Sequence, residues 1–145
     1  MLLRRKKMTP QETIGQYLKE MLDWEISFYK EQRSEAYKTD PTEREKSKKI
    51  ARERLRIIFE KYVKDGEQNK IADAALTTMA VGRPPAYEQT IIEEISSTHN
   101  YVITKQNSGF ENFFRYTLQE NDSKWLIEKL HFSTDGKKWK LAESL

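Results

Sequence analysis

The chain has 145 residues, with 26 Lys plus Arg against 23 Asp plus Glu and a formal charge of +3. Four of the cations, Arg4, Arg5, Lys6 and Lys7, sit in the first seven residues; the rest is close to neutral, which argues against a protein basic throughout, as a general nucleic-acid coat would be. Cysteine is absent, which excludes disulfides, thiolate metal sites and a Cys nucleophile, while 7 Tyr, 6 Phe and 3 Trp can build the core of one domain.

Residues 1–8 read as a basic tail, disordered or belonging to an upstream start, with Met8 an alternative start; residues 9–145 read as a single α+β domain. The tail is followed by polar Thr9-Pro10-Gln11-Glu12, so it is not a signal peptide. No apolar run approaches the ~20 residues of a spanning helix. These features point to a cytoplasmic protein with no membrane partner.

Thr9 caps a first helix, Pro10 suits its first turn and Glu12 completes a capping box. Ile14, Tyr17, Leu18, Met21 and Phe28 mark its buried face, with Trp24 and Ile26 widening it. The helix is expected to end near Tyr37 to Thr39. Thr42-x-x-Glu45 reads as the capping box of a second helix, whose stripe is Ala51, Leu55, Ile58, Phe59, Tyr62 and Val63. Asp65-Gly66 stops it. Ile71 to Val81 reads as a short helix running into a strand, and Gly82-Arg83-Pro84-Pro85 as a loop.

The remainder reads as a meander of strands. Thr90 to Ser97, Tyr101 to Thr104, Phe113 to Gln119 and Trp125 to Phe132 alternate or are β-branched. Turns fall at His99-Asn100, Asn107-Ser108-Gly109 and Asn121-Asp122-Ser123. Asp135-Gly136 is a type I′ hairpin signal before Trp139 to Leu141. Helices first and strands after give α+β, with the helices on one face of a curved antiparallel sheet.

Arg44, Lys48, Arg52 and Arg56, four residues apart, form a basic flank on the second helix. It reads as a docking surface for an acidic partner, or as an ordinary solvated face. Glu88, Glu93 and Glu94 offer an acidic alternative, so the sign of the contact surface stays open. Glu43, Glu45 and Glu53 are interleaved with the cations and argue against nucleic acid as the partner. Phe113 beside Phe114 puts aromatics on both faces of one strand; a homodimer, or another protein, would cover the outer one. His99 and His131, without cysteine or an acid-rich loop, make no metal-ligand pattern, and no phosphate-binding glycine motif implies a cofactor.

The ordered set Pro84-Pro85-x-Tyr87, the Ile91-to-Ile95 strand, Tyr101-Val102-Ile103-Thr104, Phe114-Arg115-Tyr116-x-Leu118, Lys124-Trp125-Leu126-Ile127 and Gly136-x-x-Trp139 resembles one known family. It is similar to the immunity proteins of bacterial polymorphic toxin systems that share the cone-shaped fold of nuclear transport factor 2 and ketosteroid isomerase. Glu128-Lys129 departs from the Asp expected after the strand's Ile. The resemblance implies a non-enzymatic cytoplasmic protein that binds and neutralises a cognate toxin. The alternative is a small-molecule-binding module, or an isomerase- or dehydratase-like enzyme, using the cone pocket. For that chemistry Glu93, Glu94 and Glu128 are candidate acids, with Tyr101, Tyr116 and His131 as donors. Tyr101, Tyr116, Trp125 and His131 are the pocket candidates.

Overall fold

The computed structural model describes residues 8–82, 84–92, 100–107 and 112–145. Helix α1 spans Pro10–Gln32; the Thr9 hydroxyl accepts the Glu12 N–H at 3.1 Å, and Pro10 opens the helix. It stops before the expected end. The Ser34 hydroxyl donates to the Glu31 carbonyl at 2.7 Å and accepts the Tyr37 N–H at 3.2 Å, competing with the helical ladder at that point. The chain restarts as α2, Glu35–Thr39, and the Tyr37 ring meets Phe28 edge-on at 6.4 Å.

Helix α3 spans Pro41–Tyr62 and is capped by Asp40, not by the Thr42 box. The Asp40 carboxylate accepts the N–H groups of Thr42 at 3.0 Å and Glu43 at 3.4 Å. Proline at the first helical position fixes this earlier start, because its ring pre-sets the helical φ and it has no N–H to satisfy. At the other end Val63 is already extended and bridges Ile127 in parallel, while the Lys64 N–H donates to the Ile127 carbonyl at 2.8 Å. Asp65 and Gly66 then turn the chain with φ of 62° and 51°. A single 3₁₀ turn leads to α4, Lys70–Thr78, capped by Asn69. The strand expected after α4 does not form: Met79 takes a left-handed conformation and residues 79–82 are irregular.

Five antiparallel strands follow in the order β1 (Gln89–Ile91), β2 (Tyr101–Gln106), β3 (Phe113–Asn121), β4 (Lys124–Ser133) and β5 (Lys140–Leu141), the expected meander. Arg4 to Lys7, Arg83, Glu93, Glu94, Ile95, His99 and Ser108 to Phe110, singled out in the sequence, lie outside the described residues. The two-residue type I′ geometry occurs at Asp122-Ser123, where both φ are positive (47° and 71°). At Asp135-Gly136 only Gly136 is left-handed, and the β4–β5 loop is longer than a tight hairpin. There the Asp135 carboxylate accepts the N–H groups of Lys138 and Lys137 at 3.0 and 2.8 Å, with Ser133 also bonded to it. These donors push its pKa down to about 2.

The helices cover one face of the sheet. Val102, Tyr116, Leu118, Ile127 and Leu130 point into a core shared with Ile14, Tyr17, Met21, Leu55 and Phe59. Tyr17 is fully buried, edge-on to Tyr62 at 5.8 Å and to Tyr116 at 6.0 Å. Among the described residues its buried hydroxyl has no hydrogen-bond partner. An unpaired buried hydroxyl costs more than it contributes, so Tyr17→Phe is expected to raise stability by about 1 kcal/mol. Urea unfolding should show a higher midpoint at unchanged slope; a lower midpoint would mean that the hydroxyl does find a partner in solution.

Candidate functional site

Between the helices and the sheet lies a cavity of about 370 Å³. Trp24, Leu55, Met79, Phe114, Tyr116 and Leu130 supply most of its apolar wall, and Gln89 its main polar group. The Gln89 side-chain carbonyl accepts the Tyr116 hydroxyl at 2.9 Å and also the Thr104 hydroxyl. The Gln89 amide donates to the Ala86 carbonyl at 2.9 Å. Burial holds the pKa of Tyr116 well above the ordinary phenol value, and that of Tyr87 likewise, with Tyr116 and Glu25 adding to it. Both phenols are therefore neutral at physiological pH. Among the described residues no Asp, Glu or His side chain lines the cavity. Its chemistry is that of a receptor for an apolar molecule with one hydrogen-bonding group.

The buried carboxylate of this region is Glu25, 1% exposed. Its oxygens accept the N–H groups of Gly82 at 2.7 Å, Tyr87 at 3.1 Å and Ala86 at 3.2 Å. The loop of residues 82–87 thus turns its donors onto a side chain instead of a neighbouring strand. Gly82 is suited to this close approach, since a Cβ there would meet the Pro84 carbonyl oxygen at 3.0 Å. Glu25 lies on the same helical face as Met21 and Phe28, four residues after one and three before the other. A Glu on an otherwise apolar stripe was the available signal, and sequence reasoning passed over it.

The pocket candidates separate. Tyr116 lines the cavity. Trp125 is on the same sheet face, packed against the core but outside the cavity wall. Tyr101 and His131 are on the opposite face, because neighbouring strand residues alternate and Val102 and Leu130 point inward. On that outer face the Arg115 guanidinium lies 5.6 Å from the Tyr101 ring centre and 4.9 Å from that of Trp139. His131 pairs with Arg115 in the register. Its pKa is held below the ordinary value by burial, then by Arg115 and Lys129, and its buried Nδ1 has no partner among the described residues. Glu128 sits at the β-bulge and pairs with Lys64 at 3.4 Å.

The basic flank of α3 is largely engaged within the fold. Arg44 donates to the carbonyls of Tyr37 and Lys38 at 3.0 and 2.9 Å, closing the end of α2. Arg52 does the same at the end of α4, reaching the Leu76 carbonyl at 3.2 Å. Arg56 is ion-paired with Glu53, and Lys48 lies 3.7 Å from Glu45. Glu88 borders a surface groove between α1 and β1 with Lys19, Leu22 and Thr90.

Residues 9–143 match the family described as NTF2 fold immunity protein. The chain belongs to that family. As an NTF2 fold immunity protein it is similar to immunity protein RhsIA of Dickeya dadantii (strain 3937), with 27% identity over 136 residues covering 89% of this chain and 91% of the relative. No solved structure matches the chain. The helices followed by an antiparallel meander are the α+β architecture expected of this family. Among the described residues no group of His, Asp or Glu is placed to hold a metal, and no helix is long and apolar enough to cross a membrane.

Proposed function

We propose that this NTF2 fold immunity protein binds a cognate bacterial toxin one-to-one and blocks it by occlusion, without turnover, inside the cytoplasm of the producing cell. Family membership over residues 9–143 carries the reading. The cavity supports it, because among the described residues its lining offers no Asp, Glu or His side chain for acid–base work, and the nearby carboxylate Glu25 is engaged by three backbone donors. The basic flank of α3 and Glu88 remain candidate contacts, as do Glu93 and Glu94. Co-expression with the toxin domain encoded immediately upstream tests the reading. Growth is expected to be restored, and the purified pair to elute as a 1:1 complex. Toxicity that persists at full expression of this chain, with no complex formed, would sink it.

A second reading follows from the cavity itself. Its volume and the Tyr116–Gln89 pair suit a small apolar ligand, bound in place of turnover chemistry or beside toxin binding.

A further inference from the structure

We infer that the outer face of the sheet, centred on the Tyr101–Arg115–Trp139 stack, is the surface that receives a carboxylate-bearing segment of the toxin. This rests on the reading of the chain as a toxin-binding protein and names the surface and its chemistry. The two rings come from different elements: Tyr101 from β2 and Trp139 from the β4–β5 loop, with Arg115 between them on β3. The loop that presents Trp139 is held by the Asp135 carboxylate, and a Cβ at Gly136 would lie 3.6 Å from the Phe113 ring.

Stacking on aromatic faces orders a guanidinium while leaving its N–H edge available for bidentate bonding to a carboxylate. Arg115 makes no ion pair among the described residues. The alternation of β2, β3 and β4 also brings Lys105 and Lys129 to this face. Leu141, 62% exposed and opposite His131 in the register, adds apolar area beside the stack. Trp, Tyr and Arg at the centre, with apolar and cationic neighbours, are the composition of an interface hot spot.

Charge complementarity selects the occupant. A second copy of this chain, docked face to face about a two-fold axis, would oppose Arg115 and Lys129 to themselves. The cations of α3 are a weaker candidate for the same role, since Arg44 and Arg52 bond carbonyls of their own chain and Arg56 and Lys48 face Glu53 and Glu45.

Calorimetric titration against a catalytically inactive form of the upstream-encoded toxin domain tests this. Arg115→Glu and Trp139→Ala are each expected to weaken binding at least ~30-fold. Arg115→Lys should give an intermediate loss, and Arg52→Glu with Arg56→Glu less than about a threefold change. Trp139 is half-buried in a loop, so its variant carries the test if Arg115→Glu does not fold. Wild-type affinity in folded Arg115→Glu or Trp139→Ala overturns the surface while leaving the toxin-binding reading intact. Absence of binding by the wild-type protein overturns both. Sedimentation showing a homodimer that Arg115→Glu dissociates, or a random single-stranded DNA that only this variant releases, would overturn the surface in favour of those occupants if toxin affinity were unchanged.

Discussion

Replacing Glu25 with alanine is expected to lower the stability of the folded protein by about 3–5 kcal/mol, because three backbone N–H groups lose their acceptor together. The carboxylate is 1% exposed and accepts three N–H groups from residues 82–87. Without it, those donors lose an acceptor in a half-buried loop, at about 1–3 kcal/mol for each that water cannot reach. Glu25→Gln separates charge from shape. Its single carbonyl oxygen can serve two donors, but its NH₂ group must face the third, so a loss of about 2 kcal/mol is expected. Thermal unfolding is the measurement, with a fall on the order of 10 °C for the alanine variant. A glutamine variant as stable as the wild type would show that shape, not charge, holds the loop. The loop borders the cavity through Gly82, Ala86 and Tyr87, so the alanine variant should also show faster amide exchange at those residues.

Trp24→Ala should be comparably damaging and should change what the interior can admit. Trp24 is 3% exposed, stacks at a tilt on Phe28 at 5.6 Å and donates its indole N–H to the Ala51 carbonyl at 2.8 Å. It lines the cavity and also two clefts between α1 and α3, one with Ile50 and Arg54, the other with Asp23 and Ile57. The indole thus borders all three. Truncating a buried Trp costs about 3–5 kcal/mol, because the lining relaxes only partly around the space left behind. The variant is expected to bind a fluorescent apolar dye more tightly than the wild type does. Trp24→Phe keeps most of the ring volume and loses only the hydrogen bond, about 1 kcal/mol. Equal losses for Ala and Phe would mean that the indole N–H, and not its volume, matters at this site.

Both residues show where sequence reading reaches and where it stops. Trp24 is legible as a core residue because it follows the apolar stripe of α1. Glu25 shares that stripe, yet its partners are the backbone of residues 82–87, which no side-chain pattern marks. The helix boundaries failed for a similar reason. Ser34 and Asp40 outcompete the expected ends because their side chains bond locally, Ser34 on both sides and Asp40 just before Pro41. The strands were clearer, since alternation of apolar and polar residues is local and repeats every second residue. The turn chemistry was less so: Asp-Gly at 135–136 has the composition of a tight hairpin but lies in a longer loop, whereas Asp122-Ser123 forms the tight turn.

By itself, then, the sequence determined the α+β class, the order of helices and meander, the apolar faces and, through an ordered set of motifs, the family. These rest on periodicity and on short contiguous runs, which are readable without knowing what packs against what. Only the tertiary structure decided which cations are already engaged. The α3 row is prominent in sequence, but α2 and α4 bring carbonyl oxygens to Arg44 and Arg52. Arg115 is inconspicuous in sequence, and becomes a centre only when β2 and the β4–β5 loop place an aromatic ring on either side of it. The reason is physical: whether a charge is free to meet a partner depends on what the fold sets within a few ångströms of it, and those neighbours come from distant parts of the chain.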